Sequence, residues 1–311
     1  MKIVVIGAGA MGCLYGAFLS EKNEVVMLDS WQPQVDVISK NGITIEEKGQ
    51  EKQYPNAKAC LSGKYSAAAD LVILFVKSIY TEDALALNSG LFGENTLVMT
   101  LQNGAGNDRK IAKYVRLENI IIGTTKHNCV NLGSGKSRHT ASGATTIGSN
   151  HNAVENLNRV AETLREAGFE VEVSEDIQRI LWSKLFVNLS INTFTAITRT
   201  KIGFMVEDKH AWDFARRLVY EAVEVAEADG TYFDRREALE SVRKVCIDAA
   251  DGYSSMYQDV MRGNKTEIDA INGAIVEQAK LYGVAVPYNS LIVDLMHAIE
   301  SAYKYNQQER T

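Results

Sequence analysis

Lys184, Asn188 and Asn192 stand at i, i+4 and i+8 in Trp182-Ser183-Lys184-Leu185-Phe186-Val187-Asn188-Leu189-Ser190-Ile191-Asn192. On a helix that spacing stacks one ammonium and two amides along a single face between apolar neighbours. Polar groups in such a stripe need partners, so they either knit a structural network or line a wet pocket. A buried lysine also loses proton affinity and can serve as a general acid.

A second constellation is Gly7-Ala8-Gly9-Ala10-Met11-Gly12, which follows the apolar run 2–6 and precedes Leu14, Tyr15 and Phe18 at helical spacing. In this pattern the first glycine permits a tight turn, the second admits a pyrophosphate close to the backbone, and the third lets helix pack on strand. The helix N-terminus then offers free N–H groups and a positive dipole end to the phosphates. Asp29 closes the next strand about 20 residues on, the place from which a carboxylate accepts hydrogen bonds from a ribose and repels a 2′-phosphate. The pattern implies a dinucleotide site, NAD(H) or NADP(H), with Asp29 favouring NADH. A nicotinamide there would supply hydride to a carbonyl, and Lys184 would supply the proton.

Three further groups stand at element ends. Lys77 ends the run 71–76, and Asn103 follows another strand in Gln102-Asn103-Gly104. The carboxyl ends of strands form the ligand crevice of an open sheet, which makes both candidates for cofactor or substrate contact; capping of the surface is the plain alternative. Ser254-Ser255-Met256-Tyr257-Gln258-Asp259 is followed by Arg262 to Asp269, where Thr266 or Asn264 fits as a helix cap with Glu267 in the first turn.

The elements that position these groups change character along the chain. Strands are expected at 2–6, 24–28, 71–76, 96–101, 119–123 and 169–173, with helices at 154–167 and 105–115 between them. The continuous apolarity of the first three suggests strands covered on both faces. From Asp176 the pattern is helical, over 177–197, 208–229, 235–250, 266–282 and 288–304, with Gly230 and Gly283 as stops. The expected fold is α/β: an N-terminal Rossmann-type doubly wound parallel sheet over 1–175 and an all-helical C-terminal domain over 176–311, for substrate and dimerisation.

Composition narrows the class further. The 311 residues carry 33 Lys and Arg against 39 Asp and Glu, a net charge of −6, with no dense basic run, which argues against a nucleic-acid partner. Four cysteines lie far apart without metal-binding spacing, as expected of reduced thiols in a cytoplasmic protein with no metal. The longest apolar run, 71–76, is far below the ~18 residues of a membrane span. Apolar faces in the helical half are compatible with a homodimer.

Taken in order, Ile-Gly-Ala-Gly-Ala-Met-Gly at 6–12, Lys77, Gln-Asn-Gly at 102–104, Gly-Thr-Thr at 123–125, His139 to Gly148, Trp-x-Lys-Leu at 182–185, Ser-Ser-Met-x-Gln-Asp at 254–259, Thr-Glu-Ile-Asp at 266–269 and Ile-Asn-Gly at 271–273 run the length of the chain. This set resembles the ketopantoate reductase family, the NAD(P)H-dependent 2-dehydropantoate 2-reductases and their 2-hydroxyacid dehydrogenase relatives. The resemblance implies Lys184 as general acid, Asn188 and Asn192 positioning a 2-oxo acid, Ser255 at its carboxylate or hydroxyl end, and Glu267 as a second catalytic residue that holds the nicotinamide ribose side. It also implies Lys77 and Asn103 as cofactor contacts, and an (R)-2-hydroxy acid as product.

Four departures accompany it: Thr193 stands where the family often has Pro, and Ile202 where it often has a substrate-side Asn. No arginine stands beside Asp29, and Lys126 and Asn128 follow Gly-Thr-Thr where other side chains are usual. The expected reaction is reduction of ketopantoate to pantoate in pantothenate biosynthesis. The alternatives are an NAD-dependent D-2-hydroxyacid dehydrogenase for branched or aromatic 2-oxo acids, of the D-mandelate type, and a non-catalytic NAD(H)-sensing regulator.

Overall fold

A computed structural model describes residues 1–151 and 154–308. It divides into two compact units. The first comprises Met1–Gln102 and Asn107–Ile177, and the second comprises Asn103–Gly106 and the chain from Gln178 onward. Asn103–Gly106 thus group with the helical unit, not with the sheet whose strand precedes them.

In the first unit the elements are β1 (Lys2–Ile6), α1 (Ala10–Leu19), β2 (Glu24–Asp29), α2 (Gln32–Asn41), β3 (Ile43–Glu47), β4 (Gln50–Tyr54), β5 (Lys58–Leu61), β6 (Leu71–Leu74), α3 (Thr81–Leu87), β7 (Leu97–Thr100), α4 (Asn107–Ile111), β8 (Ile120–Thr125), β9 (Asn128–Gly133), β10 (Lys136–Ala141), β11 (Thr145–Gly148), α5 (Val154–Glu166) and β12 (Val171–Val173). Eight strands form one sheet in the order β12-β11-β8-β7-β6-β1-β2-β5. Pairing is parallel except between β8 and β11. The central strands β6 and β7 are buried at every position, which is why, apart from the closing Thr100, their sequences are Leu, Val, Ile and Met.

The sequence reading lacks β5 and β11, and it lacks a second sheet of order β4-β3-β10-β9. These strands are short and rich in polar residues, β4 being mostly exposed and β11 buried but half threonine, so no apolar run marks them. The helix expected over 105–115 is confined to Asn107–Ile111.

In the second unit a continuous helical segment carries α6 (Ile177–Val187), a π turn (Asn188–Asn192) and α7 (Thr193–Thr198). It is followed by α8 (Phe204–Glu207), α9 (Lys209–Ala228), α10 (Arg235–Asp248), α11 (Ser255–Arg262), α12 (Asn272–Tyr282) and α13 (Pro287–Gln308). Its core packs Trp182, Phe186, Leu189, Val219, Val242 and Met296, all at most 2% exposed. Each such side chain contributes roughly 1.5–3 kcal/mol by leaving water. Among the described residues one helix, Ile177–Thr198, is long and apolar enough to cross a membrane, and half of its apolar window is buried within the protein.

The helix expected over 266–282 begins only at Asn272, because 266–271 is a turn whose polar groups are tied elsewhere. Pro287 opens α13 at its first position, where its missing N–H costs nothing, and the Glu221 carboxylate on α9 accepts from Tyr288 N at 2.8 Å and Asn289 N at 2.9 Å.

Candidate functional site

In the first unit the glycine turn separates two kinds of requirement. Gly7 has φ +101°, and a Cβ there would lie 2.6 Å from Val76 N; a Cβ on Gly12 would lie 1.9 Å from the Gly7 carbonyl. The fold itself demands those two glycines. A Cβ on Gly9 would meet no protein atom within 4 Å, so the protein's own packing does not call for a glycine there. The open space lies at the uncapped N-terminus of α1, at Ala10 and Met11, where a pyrophosphate would fit.

Asp29 is half-buried beside this turn. Its Oδ2 accepts from Ala8 N at 2.8 Å and its Oδ1 from Trp31 N at 2.9 Å, which fixes the carboxylate while leaving lone pairs for ribose hydroxyls. A residue absent from the sequence reading completes the frame. Gln34 on α2, 3% exposed, donates to the Ala8 carbonyl at 2.5 Å and accepts from Gly135 N at 2.9 Å. Lys77 follows Val76, whose carbonyl accepts from Gln102 Nε2 at 2.6 Å; Gln102 donates also to Thr81 and its Oε1 accepts from Thr100. Together these residues fit a dinucleotide.

In the second unit Lys184, Asn188 and Asn192 share one helical segment, Glu267 acts on Lys184 and meets Asn103, and Ser255 opens α11. Burial lowers the proton affinity of Lys184 below the ordinary lysine range, and the Glu267 carboxylate acts in the opposite sense. Asn103 Nδ2 donates to Glu267 Oε2 at 3.1 Å. A lysine balanced in this way between desolvation and a carboxylate is suited to give and regain a proton.

Asn188 and Asn192 begin and end the π turn, and each is half-buried beside the buried Leu189, Ser190 and Ile191. A π turn moves backbone pairing from i−4 to i−5, a disturbance found often at functional sites. Its Leu189 carbonyl accepts from Thr193 Oγ1 at 2.6 Å and from Asn272 Nδ2 at 3.1 Å. Asn272 in turn donates to Asn289 Oδ1, and Asn289 Nδ2 donates to Glu221 Oε2 at 2.8 Å. The Thr193 departure therefore has a structural role here: its hydroxyl serves the π turn. Asn272 belongs to the Ile-Asn-Gly motif, yet nothing in its local sequence announces this partner.

Ser255 is exposed at the first position of α11, whereas Ser254 is buried, caps that helix by accepting from Tyr257 N at 3.1 Å, and shares a hydrogen bond of 2.7 Å with Thr195. Ile202 is 9% exposed within the helical core, and its N–H donates to the Gly252 carbonyl at 3.1 Å. Burial pushes the thiols of Cys13 and Cys129 up to about 12 and that of Cys246 to about 11, which keeps them protonated and inert. Among the described residues no group of three or more His, Cys, Asp or Glu is placed to hold a metal ion.

Comparison with known proteins gives a consistent result. The family model for Ketopantoate reductase PanE/ApbA matches residues 3–152, and that for Ketopantoate reductase PanE/ApbA C terminal matches 176–300. The 2-dehydropantoate 2-reductase of Pyrococcus horikoshii is 36% identical over 97% of this chain and 98% of its own; that of Streptococcus pyogenes serotype M3 is 30% identical over the same shares. The ternary structure of D-mandelate dehydrogenase with NADH and anilino(oxo)acetate superposes with TM-score 0.89 at 31% identity, over 97% of this chain and 99% of that one. A PanE/ApbA family ketopantoate reductase from Ralstonia eutropha JMP134 gives 0.87 at 28% identity, over 98% and 100%.

Proposed function

The chain belongs to the ketopantoate reductase PanE/ApbA family, whose chemistry is NAD(P)H-dependent reduction of a 2-oxo acid, and on that premise we propose an NADH-dependent D-2-hydroxyacid dehydrogenase for branched or aromatic 2-oxo acids. The observation that carries the finer reading is Asp29, whose carboxylate is fixed by the Ala8 and Trp31 amides where it would repel a 2′-phosphate. The likeness to D-mandelate dehydrogenase with NADH and an aryl oxoacetate supports it.

In this reading the first unit binds the dinucleotide: Gly7, Ala8, Gly9, Ala10, Met11 and Gly12 admit the pyrophosphate, Asp29 takes the adenosine ribose, and Lys77 lies on the cofactor side. The bound cofactor supplies hydride to C2 of the 2-oxo acid. Asn188 and Asn192 orient the acid and Ser255 meets its carboxylate end. Lys184 donates an Nζ proton to the oxygen that becomes the 2-hydroxyl, and is reprotonated from solvent. Asn103 and Glu267 hold the nicotinamide ribose side, and Glu267 keeps Lys184 protonated against the pull of burial.

A second reading, reduction of ketopantoate itself, is favoured by the curated relatives. Steady-state loss of absorbance at 340 nm separates the two. NADH and NADPH are run in parallel against ketopantoate, 2-ketoisovalerate, 2-ketoisocaproate, phenylpyruvate and benzoylformate. The highest kcat/KM is expected for an apolar branched or aromatic acid with NADH. A value at least tenfold higher for ketopantoate would replace this reading with the second.

A further inference from the structure

Glu267 sits in a turn that is tied to α13 on both sides. On one side Thr266, fully buried, donates both its N–H (2.8 Å) and its hydroxyl (2.6 Å) to the same oxygen, Glu300 Oε1. The Thr266 hydroxyl oxygen also accepts from Ile268 N at 3.3 Å, which folds the backbone around Glu267, and the Glu267 carbonyl accepts from Ala270 N and Ile271 N. On the other side Asp269 Oδ1 meets His297 Nε2 at 2.8 Å. His297 and Glu300 are i, i+3 on α13 and so share a face.

We propose that Glu300, reinforced by His297, is a positioning residue that fixes the Glu267 carboxylate in the orientation from which it acts on Lys184. No local preference of Thr-Glu-Ile-Asp explains this turn: a Thr at 266 with acidic residues behind it reads as a helix start, and the chain is held out of that helix because Thr266 gives its donors to Glu300. Both donors end on a carboxylate, and charge-assisted bonds of this kind are roughly twice as strong as neutral ones. The other charged or titratable groups around the clamp are Lys265, Tyr303, Asp259 and Arg199. Burial, then Glu300 and Asp259, keep the Tyr303 phenol neutral, while Arg199 acts the other way. On Lys184 the opposing influences are burial and Glu267.

The proposal rests on Lys184 being the proton donor, and its test reads Lys184 directly. The full-length protein is reductively methylated with ¹³C-formaldehyde and the dimethyl-lysine signals are titrated by NMR, with Lys184→Arg assigning the signal of interest. Single-turnover reduction is followed against pH in parallel. Glu300→Ala should move the Lys184 midpoint down by at least half a pH unit and slow reduction tenfold or more, because a drifting Glu267 leaves burial unopposed. Glu300→Gln keeps an acceptor oxygen for both Thr266 donors and should restore the native midpoint. A native midpoint in folded Glu300→Ala, or a Glu300→Gln variant that behaves like Ala, overturns the proposal. Should Glu300→Ala not fold, His297→Ala, at a partly exposed position, decides: a downward shift supports the clamp and an unmoved midpoint overturns it. If the native protein reduces no 2-oxo acid, the reading of the reaction fails while the NMR midpoints still decide the clamp.

Discussion

The side-chain amide of Asn103 donates to the carboxylate of Glu267 at 3.1 Å across 164 residues of sequence. The contact depends on Gly104, which has φ +92° and whose Cβ, if present, would lie 2.0 Å from the Ala270 carbonyl, three residues past Glu267. The two turns are packed backbone to backbone, so Asn103 and Glu267 move together.

Gly104→Ala is therefore expected to separate them. A methyl at a left-handed position against a carbonyl costs about 1–3 kcal/mol or more. The variant should lose several degrees of Tm in a thermal melt, and at a temperature where it remains folded its kcat should fall at least tenfold. An unchanged melt would show that the chain relaxes there without cost.

Gly9 and Gly12 should part company. Gly9 has an ordinary backbone conformation and open space around it, so Gly9→Ala should leave the unfolding free energy within about 0.5 kcal/mol of native while raising the NADH dissociation constant at least tenfold in a fluorescence titration. Gly12→Ala, against the Gly7 carbonyl, should damage both. Equal NADH affinity in Gly9→Ala would place the pyrophosphate elsewhere.

Asp29→Asn tests cofactor choice. Removing the negative charge removes the repulsion of a 2′-phosphate, and the ratio of kcat/KM for NADH to that for NADPH should fall at least tenfold, about 1.4 kcal/mol. A ratio unchanged within twofold would remove Asp29 as the selector.

A histidine pair, His139 buried and His127 half-buried, should make the first unit acid-sensitive. His127 Nδ1 and His139 Nε2 lie 2.9 Å apart, with Glu47 3.2 Å from His139 Nδ1 and the rings of Tyr15 and Phe169 edge-on to His127. Burial, then His139, lowers the proton affinity of His127, with Glu47 opposing. The unfolded chain therefore takes up that proton first as pH falls. The stability it carries is complete above the unfolded imidazole value of ~6.5 and is lost between there and the lowered folded value. Thermal melts from pH 7.5 to 5 should show Tm falling in the native protein and falling less in His127→Gln; parallel curves would contradict the assignment.

How much of this was legible in sequence depends on the reach of each interaction. Gly7 and Gly12 answer to contacts one strand or one turn away, and the continuous apolarity of β1, β6 and β7 follows from two covered faces. Lys184, Asn188 and Asn192 were visible as a stripe, but the π turn beneath two of them was not. It is served by Thr193 and by Asn272, which is 83 residues distant from the Leu189 carbonyl it reaches. The helix expected from 266 fails because Glu300, 34 residues on, takes both Thr266 donors. Gln34 bridges Ala8 and Gly135 from an unremarkable Gln-Pro-Gln stretch, and the strands β3, β4, β9 and β10 pair through backbone register that their polar side chains do not advertise.

The most direct measurement is single-turnover hydride transfer from NADH to the best 2-oxo acid, for the native protein and Lys184→Ala, from pH 6 to 10. With Lys184 as donor, the native rate should be flat at low pH and fall as pH rises through a midpoint below the ordinary lysine value. Lys184→Ala should be slower by about 10²–10⁴ and lack that limb. A variant with a near-native rate, or one that keeps the same limb, would contradict the assignment of the proton to Lys184.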